Sequence, residues 1–267
     1  MSESGQDRAG SGQRFKAVMV SNPEPTVPDW VRERLARKSI EFSFRECQTE
    51  DEVIEIAGDA DVVWIKTARH LLTARTIAGL GTCLAILRTG SGTDNVDVNA
   101  ATEAGLLVTN TPDAVVESTS DHAIALLFSV VRRIPYNDRL VRAGRWDPNF
   151  APPSAQLYSR TLGLVGFGRI GRRVAQRVAG FDMKVLAFDP YVPTEAMREL
   201  RVEGATLDAL LQRADFVSLH TPLTSETHHL IGERELRTMR PDAYLVNCAR
   251  VLNDDYNYPL TTIRNAH

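Results

Sequence analysis

Cysteines, targeting signals and long apolar runs are all scarce or missing in this sequence. It has three cysteines, Cys47, Cys83 and Cys248, and no two of them form a C-x-x-C pair. An odd number of isolated cysteines argues against a disulfide framework and against a zinc site. No apolar run is long enough to cross a bilayer. Residues 1–14 are polar and lack the apolar core of a signal peptide. We therefore expect a cytoplasmic protein whose first 14 residues form a disordered leader.

An excess of charge of one sign is also lacking. Lysine and arginine total 31 against 34 aspartate and glutamate residues, so the net charge is only −3. Such a balance gives no reason to expect a nucleic-acid or anionic-membrane partner. A hydrophobic content of 43% and a length of 267 residues suit a globular protein with one large or two ordinary domains.

Short β-rich runs alternate with longer helical stretches in both halves of the chain. The first half has five runs typical of buried strands: 15–20, 41–45, 61–65, 84–88 and 106–110. A polar, proline-bearing stretch follows at 143–160, and the alternation begins again at Thr161. Alternation of this kind predicts parallel sheets with right-handed crossovers. We therefore predict an α/β protein built from two Rossmann-like βα domains.

One predicted helix, residues 116–134, differs from the others. Its centre, 123–131, is apolar on nearly every side, which is more than a single amphipathic stripe requires. It ends in Arg132 and Arg133, which suit a helix C-terminus. We predict that this helix is buried on most faces and that a two-fold homodimer covers what one small domain cannot.

A glycine motif opens the second half. Gly166, Gly168 and Gly171 form a G-x-G-x-x-G pattern between an apolar strand and a predicted helix at 169–180, and Asp189 ends the next strand. This context is that of the dinucleotide-binding fold. The first glycine permits a tight turn, the second lets the backbone approach a pyrophosphate, and the third allows close packing of helix and sheet. The helix N-terminus favours the anion.

Asp189 predicts which dinucleotide the motif would bind. Its carboxylate can accept hydrogen bonds from a ribose diol and would repel a 2′-phosphate, which indicates NAD rather than NADP. The alternative is that Asp189 only caps a turn before Pro190.

Three stretches, 88–112, 164–191 and 219–250, carry a resemblance to a known family. They contain "RTGSGTDNVD", "LVGFGRIG" with "FDPY", and "LHTPLTSETHHLIG", in the family's order. The chain resembles the D-isomer-specific 2-hydroxyacid dehydrogenases, most of all the phosphoglycerate dehydrogenases, from about Phe15 to Arg250. The resemblance implies an outer, flavodoxin-like substrate domain at 15–112 and an inner NAD-binding domain at 113–250.

The resemblance also assigns site residues. It implies that Ser91 and Gly92 present backbone N–H groups to the carboxylate of a small 2-hydroxyacid or 2-oxoacid. Arg250 would be the catalytic arginine, which holds that carboxylate and polarises the keto oxygen. The implied NAD contacts are Gly166, Gly168, Arg169, Ile170, Gly171, Asp189, His220, Thr221, Pro222, Cys248 and Ala249.

Plainer interpretations stand beside two of these assignments. The stretch "GSGTDN" by itself is just a glycine-rich turn. Cys248 by itself is a small buried hydrophobe rather than a nucleophile, which is the interpretation we prefer.

The chain departs from the family after Arg250. Val251 stands where the family has glycine, and residues 251–267 show neither a helix nor a strand period. The family's catalytic Glu and His, which lie further along, have no counterpart here. We expect an irregular tail, an outer domain without its C-terminal segment, and impaired turnover. The alternative is a non-catalytic NAD-binding protein that serves in dimerisation or regulation.

Overall fold

A computed structural model of the chain describes residues 15–21, 27–146, 155–249 and 261–264. The chain divides between Ala114 and Val115 into two compact units. This division lies two residues beyond the domain boundary that the sequence suggests. The predicted leader, 1–14, and Arg250 lie outside the described residues.

The first unit contains a parallel five-stranded sheet. Its strands are β1 (Phe15–Ser21), β2 (Ile40–Glu46), β3 (Val62–Ile65), β4 (Ala85–Arg88) and β5 (Leu107–Asn110). They lie in the order β2-β1-β3-β4-β5, and every neighbouring pair is parallel. This is the flavodoxin-like order that the resemblance implied.

Four helices connect these strands: α1 (Asp29–Arg37), α2 (Glu50–Ala57), α3 (Ala74–Ala78) and α4 (Val98–Glu103). Three of them begin at a side-chain cap. Thr49 and Glu52 form a capping box at α2, Thr73 accepts from the amide of Thr76 at α3, and Asp97 caps α4. Val18, Val20, Val63, Ile65 and Ile86 form the centre of the core and are fully buried.

The second unit contains a six-stranded sheet. Its strands are β6 (Thr161–Val165), β7 (Lys184–Phe188), β8 (Glu203–Gly204), β9 (Phe216–Leu219), β10 (Tyr244–Asn247) and β11 (Thr261–Arg264). The order is β11-β10-β9-β6-β7-β8. The chain therefore starts in the middle of the sheet and reverses direction between β6 and β9. In open α/β sheets such a switch point leaves a crevice at the carboxyl ends of the two strands.

The helices of the second unit are α5 (Val116–Val131), α6 (Ile134–Arg142), α7 (Arg169–Val178), α8 (Thr194–Arg198), α9 (Leu207–Arg213) and α10 (Glu233–Thr238). Helices α5 and α7 pack over one face of the sheet, where Leu127, Leu162 and Val174 belong to one buried cluster. Ion pairs from Glu117 to Arg173 and Arg177 join the two helices. No described helix is both long and apolar enough to cross a membrane.

The helix predicted at 116–134 differs from the structure in two ways. Helix α5 ends at Val131 because Arg133 adopts a left-handed conformation with φ of 54°, and a separate helix, α6, follows. The prediction of burial on most faces holds only in part within this chain, since Ile124, Leu126 and Val130 are partly buried against the core while Ala125 is exposed. The buried residues of α5, Ser120, Ala123, Leu127 and Val131, form a single stripe. One packed face is what a helix lying on a sheet requires.

The predicted irregular tail needs a correction at four residues. Residues 261–264 form β11, which pairs antiparallel with β10 from Tyr244 opposite Arg264 to Asn247 opposite Thr261. Without β11 the outer edge of β10 would leave its N–H and C=O groups unpaired, so it offers a place for another strand. The Thr and Ile residues of 261–264 have a high strand propensity. Other elements that the sequence pattern did not reveal are α6, α8, the two-residue strand β8 and a 3₁₀ turn at Ala179–Phe181.

Candidate nucleotide-binding site

A pocket of about 530 Å³ lies where the chain leaves β6, β7 and β9 at their carboxyl ends. Six residues predicted from the sequence line it: Gly166, Gly168, Asp189, His220, Thr221 and Pro222. The pocket belongs to the second unit and occupies the switch point of its sheet. This is the position at which doubly wound proteins bind nucleotides.

The turn after β6 requires glycine at position 166. Gly166 has φ of +93°, a conformation that side chains rarely adopt. A Cβ atom there would lie 2.8 Å from the carbonyl carbon of His220 and 2.9 Å from its oxygen. The amide of Gly166 donates to the carbonyl of Phe188 at 2.8 Å, and the amide of His220 donates to Val165 at the same distance. The loops after β6, β7 and β9 are thereby held together.

Gly171 and Gly168 have different roles at the start of α7. A Cβ atom on Gly171 would lie 2.3 Å from the carbonyl oxygen of Gly166, so the first helical turn packs directly on the glycine turn. A Cβ atom on Gly168 would meet no heavy atom within 4 Å. Gly168 therefore leaves space at the N-terminus of a ten-residue helix, whose first amides favour an anion.

The two residues after Gly168, Arg169 and Ile170, differ in their exposure to solvent. Arg169, the first residue of α7, is exposed, whereas Ile170 is partly buried and packs against the core of the second unit. Neither side chain belongs to the pocket lining. Their implied contact with a pyrophosphate would have to involve the backbone, or movement of Arg169.

Asp189 is a half-buried residue that both caps a turn and faces the pocket. One carboxylate oxygen accepts from the amide of Phe167 at 2.8 Å, and the other accepts from the amide of Tyr191 at 2.9 Å. Asp189 therefore does cap the turn at Pro190, as the alternative interpretation of the sequence predicted. A carboxylate has about four acceptor positions, so two remain available for a ribose diol.

His220 and Thr221 line the pocket, and each has one buried polar side-chain atom without a hydrogen-bond partner among the described residues. His220 Nε2 lies 2.9 Å from the hydroxyl oxygen of Ser218. Within the part of the chain that the structure describes, His220 Nδ1 and Thr221 Oγ1 are buried and have no hydrogen-bond partner. Burial lowers the pKa of His220 to about 4, so its imidazole is neutral at pH 7. Such atoms could be satisfied by a bound ligand.

Cys248 and Ala249 follow β10 and lie outside the pocket lining. Cys248 packs against the core, and burial raises the pKa of its thiol to about 11. The thiol is therefore protonated at pH 7, which supports the interpretation as a small hydrophobe rather than a nucleophile. The amide of Ala249 donates to Oδ1 of Asn247 at 2.8 Å.

Ser91 and Gly92 lie in the first unit, exposed in the loop after β4. The carbonyl of Ser91 accepts from the side chain of Asn110 at 2.7 Å, and the amide of Gly90 donates to Thr111 Oγ1 at 2.8 Å. These two bonds tie the loop to the end of β5. The loop is anchored, with Ser91 and Gly92 at the surface.

The sequence analysis missed the buried support of this loop. Arg88 is buried and donates from Nε to Asn95 Oδ1 at 3.0 Å, and Asn95 donates to the carbonyl of Thr67 at 2.7 Å. A Cβ atom on Gly90 would lie 2.9 Å from Nη1 of Arg88, so the loop lies against the guanidinium group. The available signal was an arginine at the end of an otherwise apolar strand, directly before a glycine-rich turn.

Strand order, glycine turn and pocket together define a dinucleotide-binding protein of the doubly wound α/β class. The family model "D-isomer specific 2-hydroxyacid dehydrogenase, NAD binding domain" matches residues 124–254. The chain belongs to the D-isomer-specific 2-hydroxyacid dehydrogenases and carries their NAD-binding domain.

Relatives with curated names match only part of their own length. A glyoxylate reductase of Korarchaeum cryptofilum is 48% identical over 162 residues, which are 60% of this chain and 49% of the relative. A D-3-phosphoglycerate dehydrogenase of Methanocaldococcus jannaschii is 38% identical over 203 residues, which are 76% of this chain and 38% of the relative. The chain therefore spans half or less of the length of these two relatives.

Solved structures match both units of the fold. The D-lactate dehydrogenase from Aquifex aeolicus, complexed with NAD and lactic acid, superposes with a TM-score of 0.81 and 29% identity. The match covers 90% of this chain and 71% of that one. An acyclic imino acid reductase in complex with NADPH and D-Arg gives a TM-score of 0.80 at 26% identity.

Proposed function

We propose that this chain binds NAD in the pocket at the carboxyl ends of β6, β7 and β9. We further propose that it is part of an oxidoreductase that interconverts a D-2-hydroxyacid and a 2-oxoacid. The observation that carries the binding step is the glycine turn. Gly166 can only be glycine there, and Gly168 leaves space in front of the amides of α7.

The proposed preference for NAD over NADP rests on Asp189. Its carboxylate is fixed by two backbone amides and lines the pocket, so it can accept from the 2′- and 3′-hydroxyls of a ribose. A phosphate on the 2′-oxygen would place negative charge beside it in a partly desolvated site. Phosphoglycerate dehydrogenase-like chemistry is one form that the activity could take.

The chain's own residues would position the substrate. As the family resemblance implies, we propose that Ser91 and Gly92, which are exposed residues, contact its carboxylate, and we propose Arg250 as the catalytic arginine. Bound NAD would supply a hydride acceptor. His220 is a poor candidate for the general acid, because a pKa of about 4 leaves it neutral at pH 7.

The function is tested by titrating the purified chain with NAD and with NADP, using tryptophan fluorescence or calorimetry. We expect tighter binding of NAD. Asp189→Ala should reduce the difference, and Asp182→Ala, a change at an exposed aspartate of the same unit, serves as the matched control. Equal or tighter binding of NADP by the unchanged chain would contradict the proposed preference, and binding of neither would contradict the proposed site.

A second candidate is a non-catalytic NAD-binding protein that acts in dimerisation or regulation. It is favoured by the combination of an intact glycine turn with a sequence after Arg250 that lacks the family's pattern. Binding of NAD without turnover is its signature. A homodimer through α5 belongs to both candidates, because Ile124, Leu126, Phe128 and Val130, which flank its buried stripe, are apolar and only partly buried within this chain.

A further inference from the structure

We propose that Glu226, held in place by the hydroxyl of Tyr191, is a second carboxylate of the nucleotide pocket and discriminates against a phosphate on the ribose. This inference rests on the proposed binding of NAD. It adds a specificity-determining residue on the loop after β9, whereas the glycine motif and Asp189 lie on the loops after β6 and β7.

The contact that joins the two loops is direct. The hydroxyl of Tyr191, two residues beyond Asp189, donates to a carboxylate oxygen of Glu226. Both residues line the pocket together with Asp189. The bond therefore brings a carboxylate from the β9 loop to the same cavity that contains the predicted ribose-binding group.

The backbone around Glu226 is fixed by a tight turn. The amide of Thr224 donates to Thr227 Oγ1 at 2.8 Å, and the amide of Thr227 donates to the carbonyl of Thr224 at 3.2 Å. Thr227 Oγ1 also donates to the carbonyl of Pro222 at 2.5 Å. Glu226 lies inside this turn, so its carboxylate approaches the pocket from a defined direction rather than from a loose loop.

The backbone around Tyr191 is fixed from the other side. Its amide donates to Oδ1 of Asp189 at 2.9 Å, while Oδ2 of Asp189 accepts from the amide of Phe167. A continuous series of hydrogen bonds therefore runs from the glycine turn through Asp189 and Tyr191 to Glu226. The position of Glu226 depends on the same network that positions Asp189.

The carboxylates of Glu226 and Asp189 both contribute negative charge to the pocket. The pKa of the Tyr191 phenol is raised, first by its hydrogen bond to Glu226 and then by the negative charge of Glu226, with a smaller contribution from Asp189. The phenol therefore lies within electrostatic reach of both acids. Among the described residues that line the pocket, none is a lysine or arginine, and His220 is neutral at pH 7.

A 2′-phosphate entering this pocket would carry about two negative charges toward two carboxylates with no cation in the lining. The diol of NAD carries no charge and can donate hydrogen bonds to either carboxylate. Because Glu226 is exposed, its contribution is screened by salt and should be modest, on the order of threefold to tenfold in the affinity ratio.

The test measures dissociation constants of NAD and NADP for the full chain and for Glu226→Gln, Tyr191→Phe and Glu199→Gln, each at low and high salt. Glu199→Gln is the matched control, since it removes a carboxylate from an exposed residue of the same unit outside the pocket lining. Circular dichroism and melting temperature establish that each variant is folded.

We expect Glu226→Gln to lower the preference for NAD about threefold to tenfold, mainly by tightening NADP, and to weaken the salt dependence of that preference. Tyr191→Phe should lower the preference by less, because the carboxylate remains but is no longer held. An unchanged ratio in a folded Glu226→Gln that still binds NAD would overturn the inference and leave the proposed function intact. Failure of the unchanged chain to bind NAD would instead reject the proposed function.

Discussion

In the nucleotide-binding turn, two glycines are needed for the fold and a third leaves space for a ligand. Gly166 and Gly171 are required by contacts within the protein, since a Cβ atom on either would meet backbone at less than 3 Å. Gly168 faces open space and imposes no such requirement. The three positions of one motif are therefore glycine for different physical reasons.

This difference predicts distinct effects of alanine at two positions. Gly171→Ala should lower the melting temperature, because its Cβ atom must displace the carbonyl of Gly166, and a lost core fit of this kind costs about 1–3 kcal/mol. Gly168→Ala should melt like the unchanged chain but bind NAD more weakly. Gly180→Ala, another glycine with open space around it, is the control. A Gly168→Ala variant that binds NAD normally would show that no pyrophosphate approaches this position.

His220 predicts a pH dependence of stability. Its pKa falls from 6.5 to about 4 on folding because of burial, so the unfolded chain binds the proton more tightly. This residue therefore destabilises the fold as the pH falls from about 6.5 toward 4, and its effect is constant below that range. Between pH 7 and pH 5 the loss is about 2 kcal/mol of unfolding free energy.

The measurement compares urea unfolding at pH 7 and pH 5 for the unchanged chain, His220→Asn and His122→Asn. His122 is exposed on α5 and serves as the control. We expect His220→Asn to lose most of the additional destabilisation at pH 5. The same pH dependence in all three proteins would mean that His220 is not the group responsible.

Among the elements, α5 combines one buried stripe with flanking apolar residues, Ile124, Leu126, Phe128 and Val130, that are only partly buried. Ala123, Leu127 and Val131 are buried, while Ala125, between them in sequence, is exposed. If a second copy covers this face, Ala125→Glu places a charge in the interface and should convert a dimer into a monomer without unfolding the chain.

Sedimentation velocity at micromolar concentration checks this prediction, with Ala104→Glu as the control at an exposed helix end of the first unit. A chain that is monomeric before any substitution would count against the proposed dimer. So would a dimer that is unaffected by Ala125→Glu.

Strand β11 alters what the sequence implied for the edge of the second sheet. An irregular tail would leave the outer edge of β10 unpaired and open to other chains, whereas β11 pairs along its four residues. Removing residues 251–267 should therefore expose the N–H and C=O groups of β10 and promote aggregation.

Hydrogen exchange provides the direct measurement. In the full chain we expect slow exchange at residues 244–247, comparable with β6 in the centre of the sheet, and faster exchange at 244–247 after the deletion. Equal exchange in both proteins would indicate that β11 does not stabilise this edge in solution.

At the scale of the whole molecule, the two units and the sequence beyond Arg250 lead to a prediction about turnover. A positioned acid/base group typically contributes ~10²–10⁴-fold to a rate. Residues 251–267 do not follow the family's sequence pattern, so we expect this 267-residue chain, assayed by itself, to show little or no NAD reduction with D-2-hydroxyacids, including 3-phosphoglycerate, even at saturating NAD. Arg250→Ala should then change almost nothing.

The assay follows NADH absorbance for the unchanged chain and for Arg250→Ala, with NAD binding confirmed separately. Robust turnover that Arg250→Ala abolishes would refute the prediction. Variants at His122 and His220 would then identify the group that acts as the acid/base.

The sequence by itself determined the features that depend on local pattern. Alternating periods predicted the five strands of the first sheet and the strands β6 and β7 on either side of α7, G-x-G-x-x-G located the turn after β6, and the spacing to Asp189 identified the group that faces the pocket. These features follow from residues that are near one another in the chain, where periodicity and backbone conformation act directly.

Only the tertiary structure decided the features that depend on contacts between distant segments. It placed Glu226 against Tyr191, Arg88 under the loop at Gly90, and β11 beside β10. It also showed that α5 buries one stripe rather than most of its surface. Such pairings depend on which surfaces meet after the sheets have formed, and no local period in the chain encodes that choice.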